Sequence, residues 1–119
     1  MATLEQKRAQ HAWDKAGEGL QVHGTEYMNE AKGLPALIMN SGLMQVLAFL
    51  NQKQGRHHAL MNHLLDWLHR QLGTAKSFND FMQEMMQADS RRYQQVTAEA
   101  FAWLRWLRQM AAARNGGSR

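Results

Sequence analysis

The feature that most constrains the fold is a shortage of strand-forming residues in a chain rich in helix formers. Val, Ile and Thr are scarce among the 119 residues, whereas Leu, Ala, Met, Gln, Glu and Arg dominate. No segment alternates β-branched and polar residues as a half-exposed strand does. The sequence therefore predicts an all-α fold: a compact, single-domain bundle of five to six helices over residues 1–114, followed by a flexible tail at 115–119.

Capping residues and glycines indicate where the first helices begin and end. Thr3 and Gln6 have the spacing of a capping box, which predicts the start of the first helix. Glycines within residues 17–24 predict a kink or break in it, since glycine weakens a helix interior. Gly33 is expected to end this segment, and Pro35 suits the first turn of a second helix.

Similar signals mark the remaining helices. Gly42 is expected to separate the second helix from a third at about residues 43–53, and Gly73 to close a fourth. Ser77 and Asp89 are predicted N-caps of the fifth and last helices. Helical spacing predicts a core formed by Ala9, Trp13, Ala16, Leu20, His23, Tyr27, Leu34, Leu37, Ile38, Leu43, Val46, Leu47, Leu50, Leu60, Met61, Leu64, Leu65, Trp67, Leu68, Leu72, Phe78, Phe81, Met82, Met85, Tyr93, Val96, Ala100, Trp103, Leu104, Leu107 and Ala111.

Composition excludes several classes of protein. The chain has no cysteine, which excludes disulfides, thiolate metal sites and a cysteine nucleophile. Its first eight residues lack the apolar core of a signal peptide, and no stretch approaches the ~18 apolar residues that span a membrane. We therefore expect a cytoplasmic protein that makes no membrane contact.

The histidines and carboxylates do not form a catalytic pattern. His57, His58, His63 and His69 lack the spacings of three or four that would place two ligands on one helix face, so we expect surface histidines. Asp66 and His69 have the spacing of a di-iron motif, but it occurs once where that chemistry needs it twice. A metal-dependent bundle enzyme would carry iron or manganese after purification. We expect no enzyme, metal or cofactor.

Basic and aromatic residues are more informative. The formal charge is +4, with nine arginines against five lysines, which suits a nucleic-acid partner. Cations gathered on one face would favour RNA, and cations scattered among acids would favour a helical protein–protein adaptor. Phe101 and Trp106 flank the apolar stripe of the last helix and are candidates for a subunit interface, although burial in the core is the alternative. The candidate contacts to an RNA backbone are Lys7, Arg8, Lys15, Arg56, Arg91, Arg92 and Arg105.

Two segments of the chain resemble a known family. Residues 33–50 read GLPALIMNSGLMQVLAFL, which combines leucine-proline, an isoleucine, a polar pair with Gly-Leu, and an Ala-Phe-bearing helix. Tyr93, residues 97–100, Leu104, residues 106–107 and Ala111 continue the match in order. The chain is thus similar to the small helical subunit, the fifth protein, of the type III-B (Cmr) CRISPR effector module. A close variant is the small subunit of the type III-A complex.

The resemblance implies a non-catalytic structural role in antiviral defence. Two or three copies are expected to stack in an inner filament beside the backbone subunits that grip the guide RNA. A basic face would then support the duplex of guide RNA and target RNA through backbone contacts, while base pairing reads the sequence. The expected partners are the other CRISPR effector subunits, the guide and target RNA, and copies of the chain itself.

Overall fold

The computed structural model describes residues 1–116, and this part of the chain is all-α, with six helices and no strand. The helices are α1 (Leu4–His23), α2 (Thr25–Ser41), α3 (Leu43–Gln52), α4 (Arg56–Leu72), α5 (Phe78–Gln87) and α6 (Ser90–Gly116). The predicted fold class and number of helices are confirmed. Of the predicted tail, residues 115 and 116 belong to α6, and residues 117–119 lie outside the described part.

Side-chain caps begin three of the helices where the sequence predicts them. Thr3 Oγ1 accepts a hydrogen bond from the Gln6 amide at 3.1 Å, and Gln6 Oε1 accepts one from the Thr3 amide at 2.8 Å. Ser77 and Asp89 each accept a hydrogen bond from the backbone amide three residues later, at 3.2 and 2.8 Å. These bonds satisfy amides that have no partner within the helix, which explains why α1, α5 and α6 start there.

The predicted break within residues 17–24 is confirmed, whereas the predicted end of the first segment at Gly33 is wrong. The break lies at Gly24, whose φ is 61°, and α2 continues through Gly33 and Pro35. Leu34 and Ile38, on either side of Pro35, are both buried. Their burial outweighs the hydrogen bond that proline cannot donate, since each contributes roughly 1.5–3 kcal/mol.

α1, α2, α4 and α6 pack side by side around the core. α1 and α6 run parallel, because Arg8 contacts Glu99 and, one turn further along both helices, His11 contacts Trp103. α4 runs antiparallel to both. Most predicted core residues of α3, α4 and α6 are buried, including Leu43, Val46, Leu47, Leu50, Leu60, Met61, Leu64, Leu65, Trp67, Leu68, Val96, Ala100, Trp103, Leu104, Leu107 and Ala111.

Two predicted core residues are exposed. Trp13 and Leu37 each keep 41% of their surface accessible. The buried face of α1 is formed instead by His11, Ala12, Ala16 and Gly19. α1 lies so close to Tyr27 and α6 that only small side chains fit along most of this face, and the bulky indole of Trp13 points outwards.

Two glycines give a matched test of this close packing. A Cβ at Gly19 would lie 2.5 Å from the buried ring of Tyr27, whereas a Cβ at Gly33 would meet nothing within 4 Å. We expect Gly19→Ala to lower the free energy of unfolding by about 1–2 kcal/mol through overpacking. Gly33→Ala should raise it by about 0.5–1 kcal/mol, because alanine favours a helix interior. Urea denaturation measures both, and equal effects would contradict the packing described here.

Candidate nucleic-acid interface

A partly buried ion pair ties α1 to α6 and engages Arg8, one of the predicted RNA contacts. Arg8 donates to Glu99 from Nε at 2.7 Å and from Nη2 at 2.8 Å. Trp67 Nε1 donates to the same carboxylate at 3.0 Å. Burial alone would raise the pKa of Glu99, but the hydrogen bonds from Arg8 and Trp67 outweigh it and hold the pKa below its ordinary value. The guanidinium of Arg8 therefore binds within the protein and stabilises the fold.

A second buried network surrounds His11. Its Nδ1 lies 2.9 Å from Trp103 Nε1, and its Nε2 lies 2.8 Å from Asp66 Oδ2. An indole nitrogen only donates, so Nδ1 accepts and the ring proton sits on Nε2, facing Asp66. Burial lowers the pKa of His11, while the carboxylate of Asp66 acts in the opposite direction. His11 is buried.

His63 forms a third polar contact at the interface of α1, α2 and α4. Tyr27 Oη lies 2.7 Å from His63 Nδ1, and Glu18 lies 3.7 Å from His63 Nε2. Burial lowers the pKa of His63 to about 4 and raises the pKa of Tyr27 above its ordinary value. Both groups are therefore neutral, and because Glu18 lies nearest Nε2 the ring proton is favoured there, which leaves Nδ1 to accept from the phenol. Within residues 1–116, no group of three or more His, Asp or Glu side chains is arranged to hold a metal ion.

Three further predicted RNA contacts are engaged within the protein. Lys15 pairs with Glu18 at 3.3 Å. Arg56 pairs with two carboxylates of α2, at 3.3 and 3.5 Å. Arg92 donates to the Leu72 carbonyl and to Gln95, both at 2.8 Å. The charges of Lys15 and Arg56 are thus partly compensated, and donors of Arg92 are used within the protein, which weakens each as a phosphate ligand.

The remaining predicted arginines lie on one exposed surface, the outer face of α6. Arg91 and Arg105 are fourteen residues apart and exposed, and at 100° per residue they lie on nearly the same side of the helix. The one carboxylate in the α6 sequence is Glu99, which points into the core towards Arg8. This face therefore carries arginine charge with no acid of α6 beside it. Its residues are Arg91, Gln94, Ala98, Phe101, Arg105 and Arg108.

A groove between α2 and α6 borders this face. Its volume is about 550 Å³, and it is lined by Pro35, Met39, Ala98, Phe101, Arg105 and Arg108. Met39 is 79% exposed, and Phe101 is half-buried against the core. Trp106 is also half-buried, but five residues of helix turn it about 140° away from Phe101. The structure thus brings Phe101 and Arg105 together and places Trp106 elsewhere.

Comparisons with known proteins identify the family. Residues 4–114 match the family model described as "CRISPR-associated protein (Cas_Cmr5)". The chain belongs to the Cmr5 family. A curated member, the CRISPR system Cmr subunit Cmr5 of Thermus thermophilus, is 30% identical over 115 residues, which cover 95% of this chain and 96% of that protein. The crystal structure of a CRISPR-associated Cmr5 family protein from Thermus thermophilus matches with a TM-score of 0.82, at 30% identity, over 95% of this chain and 97% of that one.

This Cmr5-family chain carries its other exposed predicted cation on a different surface. Lys7 lines a groove between α1 and α4 together with Arg70, on the side of α1 that faces α4. Pro35, Met39, Ala98 and Arg108 complete the groove at α6, and none of them was predicted from the sequence as a site residue. Arg108 could have been found from its place three residues after Arg105, but Met39 could not, because its position beside α6 depends on the tertiary fold. None of the helices in residues 1–116 is long and apolar enough to cross a membrane.

Proposed function

We propose that this Cmr5-family chain is a non-catalytic structural subunit of a type III-B CRISPR ribonucleoprotein and supports the duplex of guide and target RNA. The observation that carries the proposal is the outer face of α6, which holds exposed arginines and no carboxylate of the helix itself. Contact with the RNA backbone would be made by Arg91, Arg105 and Arg108. The chain would act in antiviral defence beside the other effector subunits, including the backbone subunit.

The outer face of α6 suits a phosphate backbone. Arg91 and Arg105 are about 21 Å apart along the helix axis, at a rise of about 1.5 Å per residue. That length passes several successive phosphates, whose spacing along one strand is only a few ångströms. Guanidinium groups can donate two parallel hydrogen bonds to one phosphate. Contacts of this kind position a nucleic acid without reading its sequence.

The same groove offers little chemistry, which supports a structural role. Its lining contains no carboxylate, histidine, serine or lysine that could act as base, acid or nucleophile. The two histidines whose pKa is lowered, His11 and His63, bond to Trp103, Asp66 and Tyr27 inside the fold. A perturbed pKa can mark a catalytic site, but here the cause is burial within the helix packing.

The apolar floor of the groove supports contact with protein as well. Phe101 and Met39 lie between the arginines, and aromatic side chains, Met and Arg are enriched where proteins meet. We propose that copies of the chain stack in an inner filament through surfaces that include Phe101. Trp106 remains a predicted interface residue, although half of it packs into the chain's own core.

Charge reversal on the outer face of α6 tests the RNA contact. We expect Arg105→Glu to weaken target-RNA retention by the assembled complex roughly tenfold, and Arg91→Glu to act in the same direction. The dependence of the logarithm of affinity on the logarithm of salt concentration should become shallower by about one unit for each phosphate that the variant no longer binds. Filter binding at several salt concentrations measures both quantities. Arg92 is left unchanged because it also bonds Leu72.

Lys53→Glu is the matched control for this experiment. Lys53 is exposed beyond the end of α3, and the same charge reversal there should leave RNA retention almost unchanged. If Arg105→Glu and Lys53→Glu weaken retention equally, the effect is one of total charge and the proposed face is wrong. If Arg105→Glu prevents assembly with the other subunits and spares RNA affinity, the chain acts as a protein adaptor.

A further inference from the structure

Trp13 stands half exposed at the junction of α1 and α6, with 41% of its surface accessible. Two turns of α1 separate the small residues on either side of it: Ala9 lies four residues before and Gly17 four residues after. Residues four apart lie over one another on a helix face. The indole therefore projects from α1 with space on both of its flanks.

Arg114 fills the space on the Gly17 side. Its guanidinium carbon lies 4.5 Å from the centre of the Trp13 ring, and its Nη1 donates to the Trp13 carbonyl at 3.0 Å. A Cβ on Gly17 would lie 2.6 Å from Arg114 Nη1. Glycine at this helical position costs roughly 1 kcal/mol relative to alanine, but it leaves room for the guanidinium to lie across the ring. The stack fixes the plane of the indole.

The flank towards Ala9 is open and forms the Trp13 slot, a groove of about 460 Å³ lined by Gln6, Ala9, Gln10, Trp13 and Met110. Gln6 Oε1 is bound by the Thr3 amide, so its Nε2 is left as a donor. Gln10 Nε2 is bound to Asp14 at 3.0 Å, so its Oε1 is left as an acceptor. The slot thus offers one flat aromatic wall, a thioether, and one donor and one acceptor a helical turn apart.

We propose that the Trp13 slot binds one unpaired nucleobase of the RNA that the complex holds, an inference that rests on the RNA-binding role proposed above. The base would stack on Trp13, and its polar edge would meet the free amide groups of Gln6 and Gln10. Base stacking on aromatic side chains tolerates any sequence, because every base has a π-face. Every nucleobase also presents both donors and acceptors on its edge, with which the amides of Gln6 and Gln10 can pair. Arg114, which stacks on the other face of Trp13, supplies positive charge for an attached phosphate.

The dimensions favour a base over a docked protein. Five residues line the slot, whereas a stable protein interface involves roughly 20–30 residues on each side. With Arg114 covering one face of the indole, only the other face is left for a ligand. A planar ring fills such a space, whereas a partner helix needs an extended apolar surface. Gln6 and Gln10 supply polar groups at this point.

The test follows the indole N–H signal of Trp13 by NMR in the full chain at low salt. The ligand is a single-stranded RNA hexamer, compared with the same hexamer carrying abasic riboses. We expect the intact hexamer to shift the Trp13 signal and to bind roughly 5- to 100-fold more tightly than the abasic one. Trp13→Leu should abolish this preference for bases, and Trp13→Phe, which keeps an aromatic face, should retain most of it. Thermal unfolding of both variants controls for folding.

The outcomes separate this proposal from the proposed function. Arg105→Glu should weaken both hexamers by the same factor and leave the ratio between them unchanged. Three results would each overturn the proposal that the slot binds a nucleobase. They are equal binding of the two hexamers, no shift of the Trp13 signal up to millimolar RNA, and a shift caused only by added effector proteins. The proposed function would survive any of these results if Arg105→Glu still weakens target-RNA retention by the complex. It would fail if that substitution has no effect there.

Discussion

Replacing Arg8 with methionine should lower the free energy of unfolding by about 2–3 kcal/mol. The substitution keeps most of the aliphatic stem and removes the guanidinium that binds Glu99 through two hydrogen bonds. Glu99 is only 8% exposed, so its carboxylate would be left in the interior with Trp67 as its one remaining donor. Removing one partner of a buried ion pair is costly because the other charge remains desolvated. Urea denaturation at neutral pH measures the change.

Arg91→Met is the matched control, since it makes the same chemical change at an exposed arginine of α6. It should change the free energy of unfolding by less than about 0.5 kcal/mol. Combining Arg8→Met with Glu99→Gln should recover part of the stability, because a neutral amide is cheaper to bury and can still accept from Trp67. Equal effects of Arg8→Met and Arg91→Met would show that the pair between α1 and α6 does not stabilise the fold.

Much of the fold could be predicted from local sequence. The starts of α1, α5 and α6 follow from Thr3, Ser77 and Asp89, whose side chains bond amides only three residues away. The buried faces of α3 and α4 follow from apolar residues at helical spacing. Such signals depend on neighbours in the chain, and they are independent of how the helices are arranged in space.

The errors arose where tertiary contacts override local preference. Proline and glycine normally mark helix ends, yet α2 passes through Gly33 and Pro35 because Leu34 and Ile38 are held in the core. On α1, apolar spacing selected Trp13, but the close approach of Tyr27 to Gly19 requires a small-residue face. Neither contact is visible in a local window of sequence.

In the candidate site too, local features could be predicted from the sequence and tertiary contacts could not. The charge asymmetry of α6 can be read from the sequence, because Glu99 is the one acid in that helix. The sequence does not reveal which arginines and lysines bond within the protein. Arg8 and Glu99 are 91 residues apart in the chain, and Arg92 and Leu72 are 20 residues apart. The sequence therefore predicts a list of cations, and the fold leaves Arg91 and Arg105 exposed on one surface and Lys7 on another.

Acid should destabilise this protein well above the range in which carboxylates titrate. The pKa of His63 is about 4 in the folded state, because of burial, against 6.5 for an ordinary histidine. Between these values the unfolded chain binds a proton that the folded chain does not, so the free energy of unfolding falls as the pH falls. His63 alone accounts for a decrease of about 3 kcal/mol between pH 6.5 and 4, at about 1.4 kcal/mol per unit. His11 acts in the same direction, because its pKa is also lowered.

Two variants test whether His63 causes this loss of stability in acid. His63→Asn keeps an acceptor for the Tyr27 hydroxyl but cannot be protonated in this range, so it should flatten the profile between pH 6.5 and 4. Tyr27→Phe removes that hydroxyl and should lower stability at about pH 8 by about 1 kcal/mol while keeping the slope, since burial is the larger cause of the shift. Urea denaturation from about pH 8 to about pH 4 gives the profiles. A wild-type free energy of unfolding that is constant above about pH 4.5 would contradict a role of His63. The loss of stability in acid would then come only from carboxylates such as Asp66 and Glu99. Because their pKa values are lowered, their contribution to stability is lost at lower pH.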